Sequence, residues 1–415
     1  MQIRAITAFI PGSFPADAAA VARAGAFLRS ARAAYERAGY VVQTARLATR
    51  PFPSYLADPA RTPDLAAEMA ALAKENAIDY VALGPVRLDD DPAYIDALAG
   101  PLAAGQVFAS VEVASCDGRL SLRACHRCAE LIRAVAERSG DGFGNLYLAA
   151  LANCPPETPF FPASYAAGDE PHFALAIECA DLAVASSRDA HTPAQASARL
   201  VEAVERAGAA LAAMASELEA RHSVAFRGID FSLAPYPEEA RSLGTALALL
   251  GAPAGSEGGV AAAALLADAV GRARFPRAGF SGLMLPVLED AALAARAAAG
   301  ALTVHDLLLM SAVCGTGLDT VPLPGDAPAQ ALAGVLADVG ALALRTGKPL
   351  TARLMPLPGK RAGDPVAFDF GYFAPSRVLA LGEGPSAGPL AGEEVVALAG
   401  YTGGQHTASG GQPRA

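Results

Sequence analysis

Apolar positions along this chain switch period repeatedly, from near-continuous runs to recurrence at every third and fourth residue. Residues 3–10 are an almost unbroken apolar run, the pattern of a strand covered on both faces. Within residues 16–38, Val21, Ala24, Phe27, Leu28 and Ala31 recur at helical spacing, and Gly39 stops the helix. Residues 40–47, rich in β-branched side chains, predict a second strand. Strand, helix, strand is a βαβ unit, which crosses over right-handed and makes its strands parallel. The alternation continues to the C-terminal region. Helices are predicted at 63–76, 93–98, 120–138, 193–221, 238–250, 260–271, 289–299, 303–312 (capped by Thr303) and 328–345. Strands are predicted at 79–83, 107–113, 145–152, 172–186, 229–233, 282–287 and 352–356. The pattern is α/β. Nothing before residue 383 reads as a linker, so residues 1–382 are expected to form one domain. Residues 383–415 are a C-terminal extension whose Gly/Ser-rich end is expected to be disordered.

Composition narrows the function classes. The chain has 32 basic and 42 acidic residues, a net charge of −10, and no Lys/Arg cluster of the kind a phosphate backbone needs. Nucleic acid is thereby disfavoured, and 6% aromatics without tryptophan disfavour a stacking surface for bases or sugars. No run approaches the roughly 18–20 uncharged apolar residues of a membrane span. The first residues, MQIRAITAFIPG, read as a strand and not as a signal peptide. Six cysteines without a signal predict free thiols and a cytoplasmic location.

Chemistry-bearing residues concentrate in 311–326 and 350–369, where glycine and proline interrupt the helical runs. Gly315 and Gly317 would let a ligand approach the backbone, with Asp319 beside them, but the Gly-Lys-Ser/Thr of a phosphate loop is missing. Cys314 is either core or a nucleophile. Asp326, two residues before Pro328, is a helix cap or, with Asp319, a ligand for a divalent cation, the one cofactor these residues suggest. Arg353 lies in an apolar strand and requires an anionic partner. That partner is either Asp230 or Asp319, or a substrate carboxylate or phosphate, with Lys360 and Arg361 nearby. His172 opens a strand after a proline-rich loop and is a structural contact or a general base. Cys125 and Cys128 lack the further ligands of a zinc site and read as helix packing. No GxSxG elbow supports a hydrolase triad.

Several segments carry a family resemblance. They are Ile3-Arg4-Ala5-Ile6-Thr7, Ile229-Asp230-Phe231-Ser232-Leu233-Ala234-Pro235, Phe280-Ser281-Gly282 with Pro286 and Glu289-Asp290, Val313 through Asp319, and Thr351-Ala352-Arg353-Leu354-Met355-Pro356. In this order, across residues 1–380, the chain resembles domain-of-unknown-function family 711, also called uncharacterised protein family 0210. The resemblance implies a fold similar to pyruvate formate-lyase and anaerobic ribonucleotide reductase, an α/β barrel of about ten strands in two parallel half-sheets. Those fold relatives pair a glycyl radical with a cysteine inside the barrel, and Cys314 is similar to that cysteine in position. The glycyl motif Arg-Val-x-Gly-aromatic is not met. The nearest stretch is Ala397-Leu398-Ala399-Gly400-Tyr401. The family is also expected to place a small residue and a glycine around the histidine that here stands as Pro171-His172-Phe173.

These readings combine into an enzyme acting inside the barrel on a small carboxylate or phosphate metabolite. Arg353 would hold the anion, Asp319 or Asp326 would be base or metal ligand, and Cys314 or His172 acid or nucleophile. Glu112, Asp230, Ser232, Ser281, Gly315, Gly317 and Lys360 would complete the site. The chemistry would be lyase- or isomerase-type proton transfer. A non-catalytic metabolite-binding or regulatory protein is the alternative, and a glycyl-radical enzyme a third. A homo-oligomer is compatible with each.

Overall fold

Helices surround one large mixed sheet in the computed structural model, which describes residues 1–314 and 316–401. In chain order the strands are β1 (Gln2–Ile10), β2 (Val42–Thr49), β3 (Tyr80–Val86), β4 (Phe108–Ala114), β5 (Arg119–Ser121), β6 (Leu148–Ala152), β7 (His172–Glu178), β8 (Ala225–Ala234), β9 (Gly317–Pro324), β10 (Leu350–Leu357), β11 (Pro365–Val366), β12 (Ser376–Arg377) and β13 (Val395–Ala397). The main order is β8-β7-β1-β2-β3-β4-β6-β10-β9, with β5 and β13 attached beside β4. Strands β1, β2, β3, β4 and β6 run parallel. At one edge β7 joins β1 antiparallel and carries β8 parallel to itself. At the other edge β10 joins β6 antiparallel and carries β9 parallel. The centre of the sheet thus runs one way and both ends run the other.

The near-continuous apolar strands follow from burial on both faces. One face, with Ile6, Leu47, Val81 and Val111, packs under helices such as Ala18–Arg37, Thr62–Glu75 and Leu122–Ser139. The opposite face, with Phe9, Ala48, Ala82, Phe108 and Ala174, is covered by the chain's own loop, whose Phe161 and Ala166 join that cluster. This proline-rich loop, residues 153–171, therefore lies over the inner face of the sheet. Among the described residues no helix is long and apolar enough to cross a membrane.

The predicted helices and strands recur with small shifts, and four expectations need correction. The strand expected across 172–186 ends at Glu178, and Ala180–Ser187 is a helix, because Ala180, Ala183 and Val184 bury one helical face. The stretch read as irregular, 311–326, contains strand β9. Its prolines, Pro322 and Pro324, are tolerated because β9 ends the sheet and owes few ladder bonds. The strand expected at 282–287 is an irregular extended segment: Gly279, Gly282 and Pro286 interrupt it and Ser281 has φ of +44°. The segment still bonds to β8 through Ile229 N to Pro276 O (2.8 Å) and Met284 N to Ser232 O (2.8 Å), and to β9 through Val287 N to Asp319 O (3.1 Å). Finally, the helix expected from 328 begins at Ala329 with Pro328 as its cap and no side-chain cap bond, so the exposed Asp326 does not cap it.

The C-terminal extension is tied down as far as it is described. Strand β13 pairs antiparallel with β5, and Tyr401 N donates to Arg345 O at 2.8 Å. The disorder expected of the tail concerns residues 402–415, which lie outside the described residues.

Gly317 opens β9 at φ of +89°, and a Cβ there would stand 2.2 Å from the Thr351 carbonyl oxygen. Gly317→Ala is expected to destabilise the fold by roughly 2 kcal/mol or more, from positive φ plus the clash. Urea unfolding measures this. An unchanged midpoint would show that the β9–β10 junction does not require glycine.

Candidate functional site

A partly open cavity of about 60 Å³ lies where β7 and β8 end and where β1, β2 and β3 begin. Arg4, Arg46 and Arg353 line it with Asp230 and Glu289, and the rings of Tyr80, Phe160, Phe161 and Tyr372 form much of its apolar wall. Arg46 reaches it because the pleat of β2 alternates: Leu47 faces the helices while Arg46 and Ala48 face inward.

Most of the charge there is joined in one chain. Arg353 Nε donates to Asp319 Oδ1 at 2.6 Å, its Nη2 to Glu289 Oε1 at 3.0 Å and its Nη1 to the Leu146 carbonyl at 3.2 Å. Glu289 Oε2 accepts in turn from Arg4 Nη2. Burial pushes the Glu289 carboxyl up, but Arg4, Arg353 and Arg46 outweigh it and hold it below the usual carboxylate value. At Asp319 burial prevails: Arg353 offsets only part of the rise and Glu289 adds to it, so this carboxyl is raised. Its Oδ2 is buried without a hydrogen-bond partner. Burial alone would lower the Arg4 guanidinium, yet Glu289 and Glu178 raise it overall.

Arg46 and Asp230 stand outside that chain. Arg46 Nε donates to Thr44 Oγ1 at 2.9 Å, and the guanidinium carbon sits 5.1 Å and 5.7 Å from the ring centres of Phe161 and Tyr80. Among the described residues no carboxylate oxygen lies within 4.0 Å of it. Burial first, and then neighbouring Arg4, push its pKa down to about 9. Asp230 accepts from Ser232 Oγ, from Ser281 N (3.0 Å) and from Phe280 N (3.0 Å). Burial nonetheless raises its pKa, with those hydrogen bonds offsetting part of the rise.

Backbone strain surrounds these groups. Leu233, Ser281 and Thr320 have φ of +44°, +44° and +40°, on β8, on the 277–286 segment and on β9. Leu233 and Thr320 fall where strand register shifts. Such residues cost about 1–3 kcal/mol each and persist only where surrounding contacts impose them. Here the distortions accompany Asp230 with Ser232, the Ser281 amide, and Asp319.

Of the residues singled out from sequence, Asp230, Ser232 and Arg353 line the cavity. Asp319 binds Arg353 from behind, and Ser281 supports Asp230. The others stand elsewhere. Cys314 is buried in the helix-side core. His172 stacks on Phe9 with ring centres 4.8 Å apart, with Nδ1 2.9 Å from Glu170 O and Nε2 3.3 Å from Glu157 Oε1. Glu112 accepts from Leu88 N, Lys360 donates to Pro365 O, and Gly317 packs on β10. Gly315 lies outside the described residues. Asp319 and Asp326 do not share a cation site: five residues of β9, about 16 Å, run from Asp319 to Pro324 before the chain reaches exposed Asp326. Among the described residues no three His, Cys, Asp or Glu side chains gather as a metal site would require. Sequence reasoning missed Arg4 and Arg46. Their signal was a single charge inside a run read as a strand.

This is an α/β protein whose mixed sheet carries an arginine-lined, largely charge-paired cavity. Residues 1–372 match the family model described as Uncharacterised ACR (DUF711), and the chain belongs to that family. It is 34% identical over 318 residues to UPF0210 protein MK1214 of Methanopyrus kandleri, covering 72% of this chain and 70% of the relative. It is 33% identical over 362 residues to UPF0210 protein PAE3581 of Pyrobaculum aerophilum, covering 81% and 79%.

The two arginines should respond oppositely to neutralisation. Arg353→Met strands Asp319 and Glu289 and is expected to cost roughly 3–5 kcal/mol, whereas Arg46→Met removes a buried charge without a carboxylate partner and should stay within about 1 kcal/mol of wild type. Equal losses in denaturant unfolding would contradict this division. Asp230 makes a pH prediction. Its native pKa lies above the unfolded value of 3.8, so its stabilisation is complete below 3.8 and is lost as pH rises through the native value. Asp230→Asn should remove that part of the decline in stability with pH. An unchanged slope would show that Asp230 does not take up a proton on folding.

Proposed function

We propose that the cavity binds a small carboxylate- or phosphate-bearing metabolite through Arg46. We propose further that the protein is an enzyme of proton-transfer type, a lyase or isomerase, in which Asp230 exchanges the proton. The observation that carries the first part is the uneven pairing of the arginines. Arg4 and Arg353 already hold carboxylates, while Arg46 is buried without one. Burial and the neighbouring Arg4 both disfavour its charged form, and a bound anion would relieve both. Asp230 is a cavity-lining carboxyl whose pKa burial raises, the direction that favours a group that both takes and gives a proton.

A closed barrel belongs to the same proposal. The 277–286 segment hydrogen-bonds to β8 near one end and to β9 just beyond the other. Counted as a strand it would complete two parallel sets of five, β1, β2, β3, β4 and β6 against β7, β8, the segment, β9 and β10. The cavity would then be the barrel's interior. A non-catalytic binding protein is the second reading, favoured by the absence of Cys314 and His172 from the cavity wall. The glycyl-radical reading draws no support from the geometry: Gly400 is exposed and Cys314 lies in the helix-side core.

Thermal unfolding with inorganic phosphate and with two- to four-carbon carboxylates tests the binding. At a hundredfold excess over Kd a ligand should stabilise wild type by about 2.7 kcal/mol, and Arg46→Met should abolish the gain. Stabilisation that persists in Arg46→Met would remove Arg46 as the anchor. With a ligand in hand, exchange of its carbon-bound hydrogens in D2O, followed by NMR, separates the two readings. Exchange lost in Asp230→Asn supports the enzyme, and no exchange by wild type supports the binding protein.

A further inference from the structure

Charge pairing inside the cavity leaves one group of each sign over. Arg4, Glu289, Arg353 and Asp319 pair with one another in a continuous chain, in which the buried Oδ2 of Asp319 is left without a hydrogen bond. Arg46 remains as a cation without a carboxylate, and Asp230 as a carboxyl with no Lys, Arg or His nitrogen within 4.0 Å among the described residues. Both line the same cavity. Resting on the anion-binding proposal above, we infer that the ligand is a small zwitterion, an α-amino acid or close analogue. Its carboxylate meets Arg46 and its ammonium meets Asp230.

Three features support this pairing. First, Asp230 has acceptor capacity left. Oδ1 takes Ser232 Oγ and Ser281 N, but Oδ2 takes only Phe280 N, and a carboxylate oxygen accepts two bonds. Its backbone donors come from a turn that closes against it through Gly279, where a Cβ would stand 2.2 Å from Oδ2. The carboxyl is thus held in place from behind. Second, the two groups are spaced across the cavity. They stand on β2 and β8, separated by β1 and β7, which puts their backbones roughly 14 Å apart. A long arginine and a short aspartate narrow that gap to the span of a molecule a few bonds long. Third, an anion without a cationic group would bring negative charge towards Asp230 and force it to stay protonated, whereas an ammonium turns the same carboxyl into a partner. Glycine and L-alanine, the smallest amino acids, test the pairing with the least demand on a cavity of about 60 Å³.

Isothermal titration of the full chain at neutral pH, with glycine and L-alanine against acetate and propionate, provides the test. Each amino acid should bind at least tenfold tighter to wild type than the carboxylate that lacks its amino group. Asp230→Asn should erase that preference while keeping carboxylate binding, and Arg46→Met should lose both classes. If acetate and propionate bind and the amino acids bind no tighter, the zwitterion inference falls and the anion proposal stands. If neither class binds and phosphate does not stabilise the protein, both fall. The wild-type comparison decides the matter even where Asp230→Asn fails to fold.

Discussion

The buried chain Asp319–Arg353–Glu289–Arg4 is the interaction on which the remaining structure depends. Taking four charges out of water carries a desolvation penalty of several kcal/mol per ion, recovered only when each finds close and well-directed partners. Those partners come from β9, from β10, from the residues just after the 277–286 segment and from β1. One network therefore ties the β9–β10 end of the sheet to its other half. That requirement gives a physical setting for the positive φ at Thr320 and for the register shift beside it, since without the extra residue in β9 Asp319 would not present the same face. The strain and the ion pairs are two sides of one construction. What makes the cavity chemically distinctive is the remainder, the two charged groups that this network does not neutralise.

Much of the architecture could be read from the chain because helix and strand periods differ and glycine marks the ends of helices. The run at 3–10 and the spacing of Val21, Ala24, Phe27 and Leu28 placed β1 and the following helix within two residues. Strand β9 was hidden for a local reason. Its Pro322 and Pro324 carry the usual mark of irregular chain, and a strand with free hydrogen-bonding positions on one side accepts them. The reverse error at 282–287 has the same root. Whether apolar residues beside glycines pair as a strand depends on neighbours that a one-dimensional pattern cannot supply. Asp326 fits a helix cap by residue type, but the turn at Ala327 carries the chain two residues further before the helix begins.

The site was legible only in part. Arg353 drew attention because a charge in an apolar strand demands a partner, and both candidate fates of that arginine rested on sound electrostatics. The same argument applies to Arg4, whose strand looks as apolar, and less plainly to Arg46, whose strand also carries Gln43, Thr44 and Thr49. What separates the three is tertiary: two are matched by carboxylates and one is not, and the carboxylates come from residues far away in the chain. Family resemblance pointed to Asp230, Ser232, Ser281 and Asp319, which do gather around the cavity wall. It also drew attention to Cys314, which packs among leucines under the helices.

The loop at 153–171 has a consequence for how such a protein can diversify. Because it lies on the inner face of the sheet, with Phe160 and Phe161 in the cavity wall, it behaves as an insert seated in a fixed frame. Exchanging its aromatic residues would reshape the chamber without altering a strand pairing, and at Phe160 it would also change the ring that lies 5.7 Å from the Arg353 guanidinium carbon. Selection can therefore retune what the chamber admits by changing a handful of loop positions, provided the new side chains refill the buried volume that Phe160 and Phe161 occupy.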